Sequence, residues 1–445
     1  MRVVIYDIGK VGTKIAETLY EEGHEITAIS NDEKAISNMQ KNLDVLAFLG
    51  HIGNADVVEG SKIQGADIFI AVTESDEENI IACAIAKNQG VRKTIARIRN
   101  PSYLNNVLLN TSEIGISHVI NPEKEVANEI VRLIKTPWAS EVDLFMDNKI
   151  FLCEIKVYSG NASYLNKKMA ELSKTNTVLI SENGAKSGSI EVFDPNKEIK
   201  PGHHIFILEE DSSISKLNSI FEDKYKKIKN VMVTGGGVTG SELLSLLKES
   251  GVQIKLIEKD MDICTGLSKK FEKHLIICGD ATDLKLLLSE NIEKVDCFAA
   301  VTGDDEENIM TSLLAKQHGV KNTITKISKY YEEDVMSVIG LDAVVNLTRI
   351  TSNKILKFVR KEELLALSIW DNDIAIMELV ASAASKIAKK PLKDSHFIKG
   401  AIIGAICRNN SIIFPKKDFK IEANDKVLAF THKSMVSVVE QYFRR

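Results

Sequence analysis

Long apolar runs are missing from this sequence. No stretch approaches the ~18 residues a spanning helix requires, and Met1 opens directly into the strand-like RVVIY, without the basic, apolar and small-residue segments of a secretory leader. The expectation is a cytoplasmic protein. Cysteine is sparse: the six (Cys83, Cys153, Cys264, Cys278, Cys297, Cys407) are scattered with no C-x-x-C pair, several inside apolar stretches such as IFLCEI, which predicts buried free thiols and no disulfide framework. Of 9 histidines only His203 and His204 are adjacent, and neighbours on a strand point to opposite faces, so no metal site is expected from them. Positive charge is not in excess either. With 57 Lys and Arg against 62 Asp and Glu, the net charge of −5 argues against nucleic acid as the main partner, because phosphate binding needs a basic surface. With 7 Pro, 27% charged and 44% hydrophobic residues, the chain has neither a disordered nor a fibrous composition. Its 445 residues suffice for about three or four domains of ordinary size.

What is present is present twice. VVIYDIGKVGTKIAETL aligns with VMVTGGGVTGSELLSLL, so that Gly9 and Gly12 match Gly237 and Gly240. Further on, GADIFIAVTESDEENIIACAIAKNQGVRKTIARI aligns with KVDCFAAVTGDDEENIMTSLLAKQHGVKNTITKI, matching Asn79 with Asn308 after one residue has been gained. Such self-similarity decides the architecture before any local reading does. In each copy short β-branched runs (RVVIY, EITAIS, IFIAVT, TIARI) alternate with helical stretches, the pattern of βαβ units on a parallel sheet. After each such region the texture changes to short alternating strands with turns, and IKPGHHIFIL corresponds to IEANDKVLAF. The expected fold is therefore α/β: two Rossmann-like, doubly wound parallel-sheet domains, at residues 1–135 and 229–360, each followed by a small α+β domain, at 138–222 and 361–445. The basic KYKKIK from Lys224 to Lys229 reads as a linker between the halves. Late in each Rossmann region comes an amphipathic helix, with a stripe of Val126, Ile130, Leu133 and Ile134 in the first copy and NLTRITSNKILKFVRK in the second. A helix added to a complete sheet is expected to dock on a neighbouring domain or subunit, the alternative being ordinary packing on its own sheet. Self-association through Val126 to Ile134 and Ile355 to Val359 is the corresponding expectation.

The second copy carries the clearest chemistry. Strand VMVT runs into Gly235-Gly236-Gly237-Val238-Thr239-Gly240 and then a helix, a G-x-G-x-x-G in the context that gives it meaning. The first glycine makes the tight turn, the second admits a pyrophosphate to the backbone, and the third lets helix pack on strand. Helix N-terminal amides then face the anion. Glu258 ends the next strand, where an acid bonds ribose hydroxyls and disfavours a 2′-phosphate. Asp280 in CGDAT follows the third strand, within reach of a base or ribose, and Thr302 follows the fourth. Asp304 with Glu307, and Ser75 with Glu78, also fit helix capping. Lys326 and its counterpart Arg97 end the fifth strands, either as phosphate partners or as surface charges.

The first copy departs from this pattern. Its loop reads Asp7-Ile8-Gly9-Lys10-Val11-Gly12, and Ser30 stands where the second copy has Glu258. A carboxylate at the pyrophosphate position repels it, and a serine offers ribose a weaker, uncharged bond. With Thr73, Glu74 and Arg97 these residues form a second candidate site expected to bind weakly or not at all; Asp32, two residues further, is the candidate to replace the missing ribose acid, though a strand end sets it on a different bearing. No His, Lys or Tyr arrangement follows either unit as a hydride-transfer partner, so no catalytic residue is assigned.

Together DIGKVG and TGGGVTG, AVTESDEEN and AVTGDDEEN, IARIRNPSY, CGDAT, and IIGAICR followed by IEANDKVLAF resemble the TrkA family over essentially the whole chain. That family comprises peripheral regulatory subunits of Trk-type potassium uptake systems, built as two tandem RCK (regulator of conductance of potassium) units. The resemblance implies RCK N-terminal and C-terminal domains within the limits given above. It implies NAD or NADH as cofactor, with ATP or ADP as competing nucleotides. It further implies a homo-oligomeric ring of RCK domains on the inner face of the plasma membrane, against an integral potassium-translocating subunit. The expected function is non-enzymatic gating; the alternative is a soluble dinucleotide-dependent oxidoreductase.

Overall fold

The computed structural model describes residues 1–104, 111–173, 177–182, 190–196, 198–210, 213–329, 339–359, 364–370, 374–388, 400–415 and 418–444. The expected domain limit at 360–361 lies outside these. Strands β1 (Arg2–Tyr6), β2 (Glu25–Ser30), β3 (Leu46–Leu49), β4 (Ile68–Ala71), β5 (Lys93–Arg97) and β6 (His118–Ile120) form a parallel sheet in the order β3-β2-β1-β4-β5-β6. Five antiparallel strands follow: β7 (Glu141–Phe145), β8 (Ile150–Lys156), β9 (Thr177–Glu182), β10 (Ile190–Val192) and β11 (His203–Glu210), ordered β10-β9-β11-β8-β7. The second copy repeats the parallel sheet with β12 (Asn230–Thr234), β13 (Gln253–Glu258), β14 (Leu275–Cys278), β15 (Cys297–Ala300), β16 (Asn322–Ile327) and β17 (Ala343–Asn346), ordered β14-β13-β12-β15-β16-β17. It ends in β18 (Leu364–Trp370), β19 (Ile374–Val380), β20 (Ala401–Arg408), β21 (Ser411–Ile413) and β22 (Lys426–His432), ordered β18-β19-β22-β20-β21. Both parallel sheets are Rossmann windings. Their order reverses beside the first strand, which opens a crevice at the carboxyl ends where ligands bind. The apolar runs predicted as strands are buried on both sides, as parallel strands covered by helices must be.

The chain divides into two compact units, and neither is a sequence half. One unit is 1–130 with 230–359; the other is 131–229 with 360–445. The first holds both Rossmann sheets. Helix Leu347–Val359, which ends the second copy, buries Ile355, Leu356 and Val359 in one cluster with Val11, Ile15, Leu19 and Ile120 of the first copy. Phe358 stacks on His118 with ring centroids 4.1 Å apart, and Lys354 pairs with Glu125 at 3.0 Å. The late helix thus docks on a neighbouring domain, and that domain is the other copy in the same chain. The expectation that these stripes join separate subunits is corrected here: Val126, Ile130, Leu133, Ile134 and Ile355 are all buried within one chain.

The second unit holds both small sheets, which share a core. Phe145, Leu152, Phe206 and Leu208 cluster with Ile376, Ala405, Leu428 and Phe430, and Glu378 accepts the Met146 amide at 3.0 Å. Behind that core Glu154 is buried, with its Oε1 2.6 Å from His204 Nδ1 and the Ser140 hydroxyl donating to its Oε2 at 3.0 Å. Burial opposes the charge of Glu154, but Lys156 and His204 outweigh it and hold the carboxyl below its ordinary value. KYKKIK is less free than a linker: Lys224 lies 5.0 Å from the Tyr164 ring centroid and donates to the Gly160 carbonyl at 3.0 Å, and Ile228 is buried. The cysteine expectation also needs correction, because Cys278 is exposed and Cys407 half-buried while the other four are buried.

Two outcomes follow from this packing. Ile355→Ala removes a fully buried side chain from a core that joins the two copies and should destabilise the protein by about 2–5 kcal/mol, read as a lower midpoint in urea. Because Glu154 titrates lower in the folded state than its ordinary 4.5, its contribution is complete above that pH and is lost as pH falls below it. Glu154→Gln should therefore flatten the acid limb of a stability-versus-pH curve measured downward from pH 5.

Candidate functional site

The crevice of the second copy is shaped by two close approaches. Gly235 has φ +103°, a conformation L side chains rarely adopt, and a Cβ on Gly240 would lie 2.0 Å from the Gly235 carbonyl oxygen. Glycine is thus required at both positions for the strand to turn and the helix to start. A Cβ on Gly237 would meet nothing within 4 Å, so this residue faces open space. Gly237 caps helix Val238–Leu247 and has no side chain to occupy the first-turn amides, which leaves a helix N-terminus suited to an anion.

Around this loop lies a cavity of about 720 Å3. Of the residues expected from sequence, Gly235, Gly237, Val238, Thr239, Glu258, Asp280, Thr302 and Lys326 line it. Gly236 and Gly240 do not. The Gly236 amide donates to Glu258 Oε2 at 2.6 Å, while Gly240 packs under the turn. Glu258 Oε1 accepts the Asp260 amide at 2.8 Å, so the acid is oriented by backbone on both oxygens. Asp280 accepts the Thr282 hydroxyl and amide at 2.7 and 2.8 Å, and these bonds hold its carboxyl below the usual range.

Lys326 is 8% exposed and donates to the Thr302 carbonyl at 2.9 Å. Burial pushes its pKa down, opposed by Glu123 and Asp305. Arg97 is similarly buried, so the surface-charge reading of both cations is corrected. Asn308 bolts this edge together: its Oδ1 accepts the Thr302 amide at 2.9 Å and its Nδ2 donates to the Lys326 carbonyl at 3.0 Å. Asn79 does the same for Thr73 and Arg97 in the first copy. Asp304 and Ser75 accept the Glu307 and Glu78 amides at 2.7 and 3.1 Å, which realises the capping reading.

One wall of the cavity was not legible in the second copy's motifs. Asp76, Arg99, Asn100 and Glu123, all from the first copy, line the second copy's cavity. Asp76 accepts the amides of Arg99 and Asn100 at 2.9 and 2.8 Å and so shapes that wall. Glu123 Oε2 is buried without a hydrogen-bond partner among the described residues. The signal for this wall was the duplication itself, since two copies sharing a core bring one copy's strand ends to the other's crevice.

In the first copy Asp7 adopts φ +78° where the second has Gly235, and its Oδ1 accepts the Ser30 hydroxyl at 3.3 Å. The side chains of Ile8 and Val11 are buried in the core, and Gly9 caps helix Lys10–Glu21. Asp32 does not replace the ribose acid: its carboxylate caps helix Glu33–Asn42 through the Lys34 and Ala35 amides, as Asp260 caps its counterpart in the second copy. Glu74 pairs with Arg97.

A model of the TrkA-N domain matches residues 3–122 and again 231–347, and one of the TrkA-C domain matches 376–444. The Trk system potassium uptake protein TrkA homolog 1 of Methanosarcina mazei is 32% identical over 100% of both chains. TrkA of Vibrio alginolyticus is 31% identical over 100% of this chain and 99% of its own. Among solved structures, the GsuK RCK domain matches with TM-score 0.59 at 15% identity, covering 99% of this chain and 94% of that one. The GsuK channel bound to NAD matches with TM-score 0.62 at 15% identity, over 99% of this chain and 78% of that one, a likeness of fold. With the N-terminal domain matched twice and identity above 30% end to end, the chain belongs to the TrkA family of Trk system potassium uptake proteins.

Proposed function

We propose that this protein is the nucleotide-binding regulatory subunit of a potassium uptake system, and that the second-copy cavity is where it binds NAD or NADH, with ATP or ADP as competitors. The observation that carries this reading is one cavity lined by an open Gly237 at a helix N-terminus, the acids Glu258 and Asp280, and the buried cation Lys326. Amides and Lys326 suit a diphosphate, and the two acids suit ribose hydroxyls. The relatives are named as Trk potassium uptake proteins, and the GsuK channel of similar fold was solved with NAD bound. In this reading the partner is an integral potassium-translocating subunit, and the chain works as a homo-oligomeric ring on the inner face of the membrane. The soluble oxidoreductase alternative draws no support from the comparisons.

The lining of this cavity supports a coupling role. Arg99 and Glu123 of the first copy line the same cavity as the second-copy loop. A ligand there contacts both copies, so it binds most tightly to the one arrangement of the two that closes on it. Differential affinity of that kind is what biases a two-state partner. No chemical step is required, and none is assigned.

Calorimetry with NADH tests the site. Losing a charge-assisted ribose contact removes about 1.5–3 kcal/mol, so Glu258→Ala should weaken binding roughly 10- to 150-fold. Glu258→Gln, which keeps one acceptor oxygen, should lose less. In vesicles carrying the translocating partner, Glu258→Ala should shift the NADH dependence of potassium flux by the same factor. Wild-type affinity in Glu258→Ala would overturn the assignment.

A further inference from the structure

Among the positions at which the first site differs from its second-copy counterpart are Asp7 for Gly235, Ser30 for Glu258, His51 for Asp280 and Glu74 for Gly303. Two of the changes place a carboxylate where the second copy has no side chain. Asp7 Oδ1 accepts the Ser30 hydroxyl at 3.3 Å, and a Cβ on Gly9 would lie 3.2 Å from Asp7 Oδ2, so the carboxylate sits over the residue that caps helix Lys10–Glu21. Glu74 takes Arg97 at 2.9 Å and Arg99 at 3.0 Å, engaging the cation that ends β5. In the second copy the equivalent cation, Lys326, bonds the Thr302 carbonyl instead.

The remaining changes remove the readers of a sugar. Ser30 is buried and its oxygen also accepts the Asp32 amide at 3.2 Å. His51 lies 3.0 Å from Glu78 and accepts the Gly53 amide at 2.9 Å.

We propose that the first site is filled from within: the carboxylate of Asp7 stands for the phosphate at the helix N-terminus and that of Glu74 for the phosphate that Arg97 would hold, so each chain takes one nucleotide diphosphate, in the second copy. The substitution is balanced in charge, since two carboxylates replace two phosphates against the same helix end and the same cation. The two carboxylates sit in different surroundings. Burial raises the Asp7 carboxyl against the pull of the Ser30 hydroxyl and the Ile8 and Gly9 amides. Arg97 and Arg99 overcome burial to hold Glu74 below its usual range. The first copy is thereby fixed in a phosphate-loaded form, and the response to nucleotide belongs to the second copy alone.

This inference rests on the nucleotide reading of the second cavity, and the test separates the two. Full-length protein is titrated calorimetrically with ADP, as wild type and as Asp7→Gly/Glu74→Gly, with thermal melts confirming folding; Asp7→Ala/Glu74→Ala, which also removes both carboxylates and their bulk, serves if the glycine variant does not fold. One equivalent in wild type and two in the double variant is the expected result. Two equivalents in wild type, or no gained equivalent in a folded double variant, overturns the inference while leaving the second site in place. No binding by wild type overturns the second-site reading, and the inference is then decided by whether the double variant gains one equivalent or none.

Discussion

A helix that belongs by sequence to the second copy completes the core of the first. Ile355, Leu356 and Val359 lie among Val11, Ile15, Leu19 and Ile120, which are the buried faces of the first copy's opening helix and last strand. Removing apolar surface of this kind from water is worth about 25 cal/mol per Å2, and here the gain is available only when both copies are folded and in contact. The two Rossmann sheets therefore form one unit, as do the two small sheets, and the sequence halves are not the folding units. The shared core also brings Arg99 and Glu123 to the wall of the other copy's cavity.

Duplication has kept the scaffold and released the site. Asn79 and Asn308 make the same bonds between the fourth and fifth strand ends, and Asp76 and Asp305 each accept two amides beyond the fifth strand. These groups are buried, so losing one partner leaves the other unpaired, at about 1–3 kcal/mol. Several positions facing the crevice have diverged, Gly235 to Asp7, Glu258 to Ser30 and Asp280 to His51 among them. Asp7 shows how: aspartate tolerates positive φ better than most residues, so the turn built for Gly235 survives in the first copy while its chemistry is inverted.

Much of the architecture was legible because it depends on periodicity. Alternating β-branched runs and amphipathic helices specify βαβ units, the repeat specifies two of them, and both sheets have the expected winding. The second-copy loop was legible because Gly235 and Gly240 answer to backbone geometry a few residues away. Glu258, Asp280 and Lys326 were legible because strand ends in this winding point to one crevice.

What the sequence by itself determined, then, is what local periodicity and turn chemistry govern: the doubly wound parallel sheets, the glycine turn, capping by Asp304 and Ser75, and the divergence of Asp7 and Ser30. Only the tertiary structure decided that Lys326 and Arg97 are buried rather than solvated, that the late helices bury within the chain, that Glu74 occupies Arg97, and that Glu123 reaches the second cavity. The docking of the late helix and the reach of Glu123 depend on surfaces that meet across more than 200 residues of chain, as the Lys354–Glu125 pair does, whereas Glu74 and Arg97 lie only 23 residues apart and their pairing is set by side-chain placement that a motif does not record. An amphipathic stripe specifies that something apolar must cover it and carries no record of what does, and a charge's neighbours, like its desolvation, exist only once the copies have packed.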